Sequence, residues 1–256
     1  MEVLTVALSA ILGFCLMFYA FVAYMRPYAR LKQIPKAQRV LFVTSHPDDE
    51  AMFFGPAILN LCRQENTTVF LLCMSIGNFN NQGHLRKNEL YKACEFLGIQ
   101  EQNILILRYT KLQDNPDVRW KEELISEPIL HMTIVQDIDV IVTFDRYGVS
   151  GHKNHTSVYN AMALLCLERR LPKHCRVYCL RSVNMLRKYS FMFDLPMSFI
   201  LSPFSYIASL QDWLTIQKAM ASHHSQYVWF RKLYMIFSRY VLINTLDQIS
   251  GHAGAS

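Results

Sequence analysis

The sequence predicts an α/β protein with a Rossmann-like, mainly parallel sheet, helices on both faces and a single N-terminal transmembrane helix. Two observations carry this prediction. Between about residues 40 and 182, short apolar and β-branched runs alternate with longer segments of helical periodicity, as is typical of a parallel sheet covered by helices. Ahead of that region lies one long segment without charges, at 3–25. The sequence shows no internal repeat and no low-complexity tract.

The uncharged segment Val3–Met25 predicts a membrane anchor. Its 23 residues would form a helix about 35 Å long, which is enough to cross a bilayer. The segment is too long for a signal-peptide core, no basic residue precedes it, and it has no convincing cleavage site. An uncleaved signal sequence or a buried core helix is the alternative interpretation.

Charges and cysteines predict that the large domain faces the cytosol. Five basic residues follow the anchor within 26–39, whereas only Glu2 precedes it, and basic flanks stay on the cytosolic side. The seven cysteines are odd in number and mostly lie in apolar segments, as expected of reduced thiols. A glycosylation pattern at Asn154 lies inside the predicted site, where a glycan would be hard to reconcile with activity.

The overall composition favours a membrane surface over nucleic acid as a partner. Hydrophobic residues make up 52% of the chain, which is high for a purely soluble enzyme. The net charge of +6 is modest and much of it flanks the anchor. Because no basic stripe with interleaved aromatic residues is present, the sequence does not predict nucleic-acid binding. Attraction to an anionic membrane surface explains the charge more simply.

The predicted elements follow a basic linker that ends at residue 38. Strands are predicted at 40–45, 67–75, 104–107, 138–144 and 176–182, and helices at 50–64, 84–97, 119–135 and 153–170. Gly98 ends the second of these helices, and Pro128 predicts a kink or break in the third. The predicted organisation is an anchor and linker at 1–38, one domain at 39–244 and a C-terminal tail at 245–256.

The last quarter of the chain predicts contact with the membrane in two places. The segment 189–210 is apolar and aromatic but contains Asp194, Pro196 and Pro203, so a hydrophobic loop or half-inserted segment fits better than a second span. The segment 227–242 predicts an interfacial helix, or a helix that packs on the sheet through its aromatic face. That face would consist of Trp229, Leu233, Ile236, Phe237 and Tyr240.

The strand at 40–45 is followed directly by His46-Pro47-Asp48-Asp49-Glu50. An imidazole and adjacent carboxylates are costly to cluster at a strand end unless a cation or a reaction needs them. In open α/β sheets, ligands bind beyond the carboxyl ends of the strands. One His and one Asp here can therefore supply two ligands of a catalytic metal and leave the neighbouring Asp free as a base.

A second cluster, His152-Lys153-Asn154-His155, follows the strand at 138–144 and opens a helix. Catalytic zinc usually takes three protein ligands and keeps one position open. His46, Asp49 and one of the two downstream histidines would complete that set, and the other imidazole would face the reacting carbonyl. Surface or helix-capping histidines are the alternative interpretation.

A third group of candidate residues follows the strand at 67–75. The glycines at 77 and 83 allow close approach of the backbone, and Asn78 lies beside them. Arg86 and Glu89 lie three residues apart on one helical face, where they can pair or hold substrate separately, and Arg suits bidentate contact with phosphate. We expect Asn78, Arg86 and Glu89 to contact substrate; an ordinary surface salt bridge is the alternative.

Together these motifs resemble the zinc-dependent de-N-acetylase family that includes the mycothiol and bacillithiol pathway deacetylases. The resemblance extends to 182–189 and to His224-Ser225-Gln226-x2-Trp229-Phe230-Arg231, and covers roughly residues 38–244. The chain is most similar to the eukaryotic membrane branch of that family. The motifs that carry the resemblance are His46-Pro47-Asp48-Asp49-Glu50, Gly77-Asn78-x4-Gly83-x2-Arg86-x2-Glu89 and His152-x2-His155.

The resemblance implies a role for each site residue. His46, Asp49 and His155 would bind Zn²⁺. Asp48 would be the general base and His152 would stabilise the oxyanion, and either of these two would protonate the leaving amine. Bacterial relatives often carry an acidic residue where this chain has Asn154. Since an amide does not stabilise a protonated imidazole as a carboxylate would, the charge state of His152 stays open.

The resemblance also implies a substrate and a location. The substrate would be N-acetylglucosaminyl-phosphatidylinositol in the membrane, deacetylated in the second step of GPI-anchor biosynthesis at the cytosolic face of the endoplasmic reticulum. Two imidazoles and a carboxylate also accept other divalent metals. Three alternatives remain: a deacetylase of another N-acyl amino sugar, a metal-dependent phosphoesterase, and a non-catalytic membrane scaffold.

Overall fold

A computed structural model describes residues 2–249 of the chain, and residues 250–256 of the predicted tail lie outside the described residues. The strands within that range are β1 (Arg39–Thr44), β2 (Thr68–Cys73), β3 (Ile104–Ile106), β4 (Val140–Phe144), β5 (Arg176–Leu180), β6 (Phe204–Ile207) and β7 (Ile243–Gln248). The first helices are α1 (Glu2–Arg30), α2 (Asp49–Met52), α3 (Gly55–Cys62), α4 (Gly83–Leu97), α5 (Glu122–Val135) and α6 (Gly148–Gly151). The later helices are α7 (Lys153–Leu167), α8 (Met185–Lys188), α9 (Leu195–Leu201), α10 (Leu210–Ser222) and α11 (Trp229–Phe237).

All seven strands form one sheet in the order β3-β2-β1-β4-β5-β7-β6. The strands β1 to β5 are parallel, and β7 pairs antiparallel with both β5 and β6. The chain runs outward from β1 to β3 and then returns to place β4 on the other side of β1. The switch in direction therefore lies between β1 and β4, where open α/β sheets form their binding crevice.

Side chains of β1 enter two cores, one on each face of the sheet. Val40 and Phe42 pack with α2, α3, α4 and α10, whereas Leu41 and Val43 pack with α5 and α7. Alternate residues of a strand point to opposite faces, so a strand that is apolar throughout is buried on both. The predicted fold class is confirmed.

The elements follow the sequence prediction closely up to β5. The predicted helix at 50–64 is divided into α2 and α3, because Pro56 begins a new helix at its first turn. Pro128 lies within α5 without ending it. The sheet continues beyond the predicted domain end at residue 244, since β7 pairs with β5 through Leu246, Asp247 and Gln248. The start of the predicted tail is thus a strand of the sheet.

The helix α1 and the linker both contact the domain. The helix α1 is long and apolar enough to cross a membrane. Only 6% of its most apolar stretch of 18 residues is buried. Its C-terminal half packs through Val22 and Ala29 against Ile207 and Ile243. In the linker, Ile34 and Ala37 belong to the main core. The ordered domain therefore begins before the predicted boundary at residue 39.

Candidate metal centre

The carboxyl end of β1 fixes Asp49 by hydrogen bonds to the backbone. The amides of Ser45 and His46 each donate to Asp49 Oδ2 at 2.9 Å. Burial disfavours the charged carboxylate, but the charges of His155 and His46 outweigh it and hold the pKa of Asp49 well below its usual value. Asp49 is therefore a fixed anion at the base of the crevice.

Three predicted metal ligands meet at this point. One ligand atom from each of His46, Asp49 and His155 lies within 4.8 Å of the others, and all three residues are buried. They come from the end of β1 and the first turn of α7, which adjacent strands bring together. The sequence-based grouping of these three residues is reproduced by the geometry.

The hydrogen bonding of His155 leaves a position for a cation or a proton between its Nε2 and Asp49. His155 Nδ1 lies 3.1 Å from the carbonyl oxygen of Gly148, which can only accept, so Nδ1 carries the proton. In the neutral ring, the lone pair of Nε2 then faces Asp49 Oδ1 at 3.2 Å. Nε2 is buried and has no hydrogen-bond partner. Two facing acceptors repel unless a cation or a proton lies between them. Although burial opposes protonation, the charge of Asp49 raises the pKa of His155.

Asn154 orients the third ligand, His46. The Asn154 amide nitrogen donates to the carbonyl oxygen of Val118 at 2.8 Å, which leaves Oδ1 as an acceptor 2.9 Å from His46 Nε2. His46 Nε2 therefore carries a proton and Nδ1 is directed to the Asp49 side, 3.8 Å from Oδ2. Asn154 is fully buried, so its side chain is closed to a glycan.

Asp48 lies beside the ligands without joining them, and two guanidinium groups face it. Its Oδ2 is 3.2 Å from Arg231 Nη2 and 3.6 Å from Arg86 Nη2. The backbone φ of Asp48 is 120°, a value that residues with a side chain rarely adopt. The backbone amide of Asp48 donates to Glu50 Oε2 at 3.0 Å. Glu50 in turn pairs with His223 at 2.6 Å, and both side chains are fully buried.

His152 caps helix α7, stacks on His155 and contacts His46 edge-on. Its ring centroid lies 4.7 Å from that of His155 and 4.9 Å from that of His46. Its Nδ1 accepts a hydrogen bond from the backbone N–H of Asn154 at 3.3 Å, so the proton of the neutral ring is on Nε2. Burial, together with the charges of the other two imidazoles, lowers the pKa of His152 to about 4. The ring is thus neutral near pH 7.

Asp114 is a site residue that the sequence prediction missed. Its Oδ1 lies 3.1 Å from His46 Nε2, and its Oδ2 accepts from Arg86 Nη1 at 2.6 Å. Asp114 forms a second possible ligand set with His46 and His152. Because Arg86 already binds its carboxylate and Asn154 already binds His46 Nε2, the first set is the better metal site. In the sequence, the signal that could have identified Asp114 was the polar loop after the short strand at 104–107.

The three predicted substrate contacts have different surroundings. Asn78 is exposed and lines a cavity of about 510 Å³ that also contains Asp114. Arg86 is buried and donates to the carbonyl oxygens of Gly77 and Pro47, at 3.1 and 2.7 Å. It therefore holds two strand-end loops in place around Asp48.

Glu89 supports a loop through both of its carboxylate oxygens, and its contact with substrate stays a prediction. Its two carboxylate oxygens accept from the amide and the hydroxyl of Ser225, at 2.8 and 2.6 Å. Glu89 is 3% exposed. The supported loop leads from His223 to Arg231, the two residues that reach Glu50 and Asp48 from the C-terminal part of the chain. His223 and Arg231 were also missed as site residues, although Arg231 ends a motif that carries the resemblance.

Comparisons with known proteins agree with the resemblance. A family model described as PIG-L, GlcNAc-PI de-N-acetylase, matches residues 41–166. The chain is 46% identical to the N-acetylglucosaminyl-phosphatidylinositol de-N-acetylase of Bos taurus, over 82% of this chain and 83% of the bovine protein. It is 32% identical to a probable enzyme of the same name from Dictyostelium discoideum, over 83% of this chain and 93% of that protein.

The fold is also found among solved structures. The N,N'-diacetylchitobiose deacetylase of Pyrococcus horikoshii matches 92% of this chain and 95% of its own, with a TM-score of 0.63 and 14% sequence identity. At that identity the likeness concerns the fold alone.

Proposed function

Because the chain belongs to the PIG-L family of GlcNAc-PI de-N-acetylases, we propose that it hydrolyses the N-acetyl group of N-acetylglucosaminyl-phosphatidylinositol. The products are acetate and glucosaminyl-phosphatidylinositol, in the second step of GPI-anchor biosynthesis. The observation that carries this proposal is the buried His46–Asp49–His155 cluster beside Asp48, a carboxylate that is not a ligand.

The donor set fits a divalent metal, and the family resemblance favours zinc. His46, Asp49 and His155 would hold it, since the lone pair of His155 Nε2 and the Asp49 carboxylate face each other with no donor between them. A bound metal would supply Lewis acidity to the attacking water and to the acetyl carbonyl. The orientation of the two imidazoles by Gly148 and Asn154 is the outer support that metal-binding histidines require.

Asp48 is the proposed general base. Its carboxylate takes a proton from the water as the oxygen attacks the acetyl carbon, and the C–N bond of the amide then breaks. The nitrogen leaves with that proton as the free amine of the sugar, so that one water is consumed and one acetate is released. Arg86 and Arg231 hold the Asp48 side chain in position from two sides.

His152 is the proposed oxyanion donor. Because Nδ1 of His152 accepts from the backbone N–H of Asn154, Nε2–H of His152 is free to donate to the oxygen that becomes negative in the tetrahedral intermediate. A ring that is neutral near pH 7 donates a hydrogen bond without serving as the acid. The return of the proton to the amine is therefore assigned to Asp48.

The membrane features fit a lipid substrate. The helix α1 would anchor the protein in the endoplasmic reticulum, with the domain on the cytosolic side where the basic residues at 26–39 lie. An anchored enzyme meets a membrane glycolipid by diffusion in two dimensions.

Acetate release from N-acetylglucosaminyl-phosphatidylinositol by the purified full chain tests the proposal. We expect release that a chelator abolishes and zinc restores, and that is lost in Asp48→Asn although this variant keeps its metal. Glu65→Gln, which removes a carboxylate far from the crevice, is the control and should be fully active. No release from folded, metal-loaded wild type would contradict the substrate and redirect the search to other N-acyl amino sugars.

A further inference from the structure

The apolar side chains of α9 and of the 3-10 turn before it form an exposed surface beside α1. Phe193 and Ile200 are 72% and 76% exposed, and Met197 and Leu201 are about half exposed. Four large apolar side chains on one short segment exceed the scattered apolar residues of an ordinary surface. We call this surface the 193–201 patch.

Ring contacts with α1 place the patch along the anchor. The Phe14 and Phe193 centroids are 6.3 Å apart, and those of Phe18 and Phe191 are 5.7 Å apart. Along a helix, Phe14 and Phe18 lie about 18 Å and 12 Å from Arg26, the first charge after the apolar window. Because the hydrocarbon core of a bilayer is about 30 Å thick, Phe14 lies near its middle when α1 spans it.

The carboxylate in the segment is paired within the protein. Asp194 is 2% exposed and accepts from Arg187 Nε at 2.6 Å. Arg239, which is fully buried, lies 2.7 Å from its second oxygen, and the Ser198 hydroxyl also donates to that oxygen. A charge near hydrocarbon is tolerated when it faces the protein and is paired. Asp194 argued against a second span in the sequence, and its pairing is compatible with the half-inserted segment predicted there.

The two ends of α9 are satisfied as a segment at the membrane surface requires. Pro196 lies in the first turn, where its missing amide hydrogen costs nothing. At the other end, Lys32 Nζ donates to the carbonyl oxygens of Phe199 and Ser202, at 2.5 and 3.2 Å. Lys32 follows the end of α1, so this end of α9 lies at the level of the basic linker and Phe193 lies deeper.

Helix α11 carries a second exposed apolar face. Trp229, Leu233, Ile236 and Phe237 share one face and are 46–72% exposed, whereas Tyr234 and Met235 are buried on the other. The alternative of packing through the aromatic face therefore does not apply to these residues. Tyr240, predicted on that face, is instead fully buried beyond the end of the helix. The ring centroids of Tyr234 and Tyr189 are 6.3 Å apart, so the buried side of α11 contacts the segment that leads into the patch.

We infer that the 193–201 patch enters the hydrocarbon of the bilayer beside α1 and that the exposed face of α11 lies on the same membrane surface. The protein would then be held by a span and by a half-inserted helical segment. Arg231 on α11 contacts Asp48, so this arrangement sets the mouth of the active site at the level of the lipid headgroups. The inference rests on α1 as a membrane span and is tested without measuring activity.

Depth-dependent fluorescence quenching tests the inference with the full chain in phosphatidylcholine vesicles. An environment-sensitive dye is attached to Cys15, which is exposed on α1 and serves as the reference inside the bilayer. In a Cys15→Ser background, the dye is attached to Phe193→Cys, to Ile200→Cys or to the control Leu167→Cys. Leu167 is 80% exposed and apolar but lies at the far end of α7 from the site. The partly buried Cys62, Cys166 and Cys175 are replaced by serine, so that the dye does not react with them.

We expect lipids brominated in mid-chain to quench position 193 as strongly as Cys15, and lipids brominated near the headgroup to quench position 200. Iodide in the water should quench position 167 alone. Quenching of positions 193 and 200 by iodide would overturn the inference. Protection of both positions from iodide and from the lipids would also overturn it, because the patch would then contact a second protein copy. If brominated lipid does not quench the dye on Cys15, the premise that α1 spans the membrane fails. That result would also overturn the inference.

Discussion

At the scale of single residues, the strained backbone of Asp48 depends on a buried ion pair. A non-glycine residue with φ of 120° costs about 1–3 kcal/mol and persists only where its surroundings hold it. Glu50 accepts the Asp48 amide and is itself bound by His223. Although burial opposes protonation of His223, the charge of Glu50 and the hydrogen bond to it raise its pKa.

Replacing His223 by Ala is expected to destabilise the domain by about 3–5 kcal/mol, because it leaves the Glu50 charge buried without a partner. Since the pKa of His223 is raised by folding, the stabilisation is complete below about pH 6.5, the unfolded value, and is lost as the pH rises through the folded value. Denaturant unfolding in detergent across this pH range measures both effects. The exposed neighbour His224 supplies the control, and equal losses for His223→Ala and His224→Ala would contradict the pairing.

His155→Ala and His152→Ala are expected to differ in metal content. His155 is a ligand in the first set, whereas His152 only stacks against it. We expect His155→Ala to lose bound metal and His152→Ala to retain it, as measured by metal analysis of purified protein. Metal loss from His152→Ala alone would instead favour the set that contains Asp114.

The same His152→Ala variant is expected to lower kcat by about 100-fold or more, as the removal of one oxyanion donor does. Since His152 is neutral near pH 7, the shape of the pH–rate profile above pH 6 should not change. A profile measured with acetate release checks this. Near-normal turnover at every pH would show that His152 is structural.

At the scale of elements, the turn after β2 depends on close contact between its backbone and Arg86. Gly77 has φ of +68°, and a Cβ added there would lie 2.5 Å from Arg86 Cζ. Gly77→Ala is therefore expected to displace Arg86 and to destabilise the domain by about 1–3 kcal/mol, with loss of acetate release. Unfolding and activity assays measure both. Gly13→Ala, where a Cβ would meet no atom within 4 Å, should match wild type.

The elements up to β5 were predictable because each carries a local signal. Parallel strands buried on both faces are apolar throughout, and the His46–Glu50 motif directly follows such a strand. The strands β6 and β7 lack that signal: β6 has four residues and follows Pro203, and β7 contains the buried polar pair Asn244 and Thr245. Their place is set by tertiary packing, because Asn244 binds the backbone of Phe53 and Ala57.

The site was predictable to the same extent and for the same reason. His46, Asp48, Asp49 and the histidines of α7 lie at strand ends or helix starts that the sequence marks. Asp114, His223 and Arg231 reach the site from a loop, a helix end and a late helix. Their spacing in the sequence carries no relation to the metal centre, so only the fold brings them together.

At the scale of the whole molecule, the linker packs as part of the domain. The effect of an N-terminal truncation on stability should therefore depend on whether the linker is removed. Removal of 1–38 deletes Ile34 and Ala37 from the core and the Lys32 bonds to α9, whereas removal of 1–17 keeps the packing of Val22 and Ala29. We expect the longer truncation to be destabilised by several kcal/mol relative to the shorter one, at about 1–3 kcal/mol for each buried group lost. Equal unfolding midpoints in detergent would contradict an ordered linker.

The sheet order also determines when the protein can become complete during synthesis. The three proposed metal ligands have all been synthesised by residue 155, but β7 comes at 243–248 and lies between β5 and β6. Among the described strands, β6 pairs with β7 alone, so both β5 and β6 present open edges on the ribosome until β7 emerges. By then α1 has already left the ribosome. A nascent chain thus carries all three residues of the proposed ligand set while β6 is unpaired and one edge of β5 is open. A stop codon before residue 243 should therefore leave an aggregating membrane protein instead of a smaller enzyme.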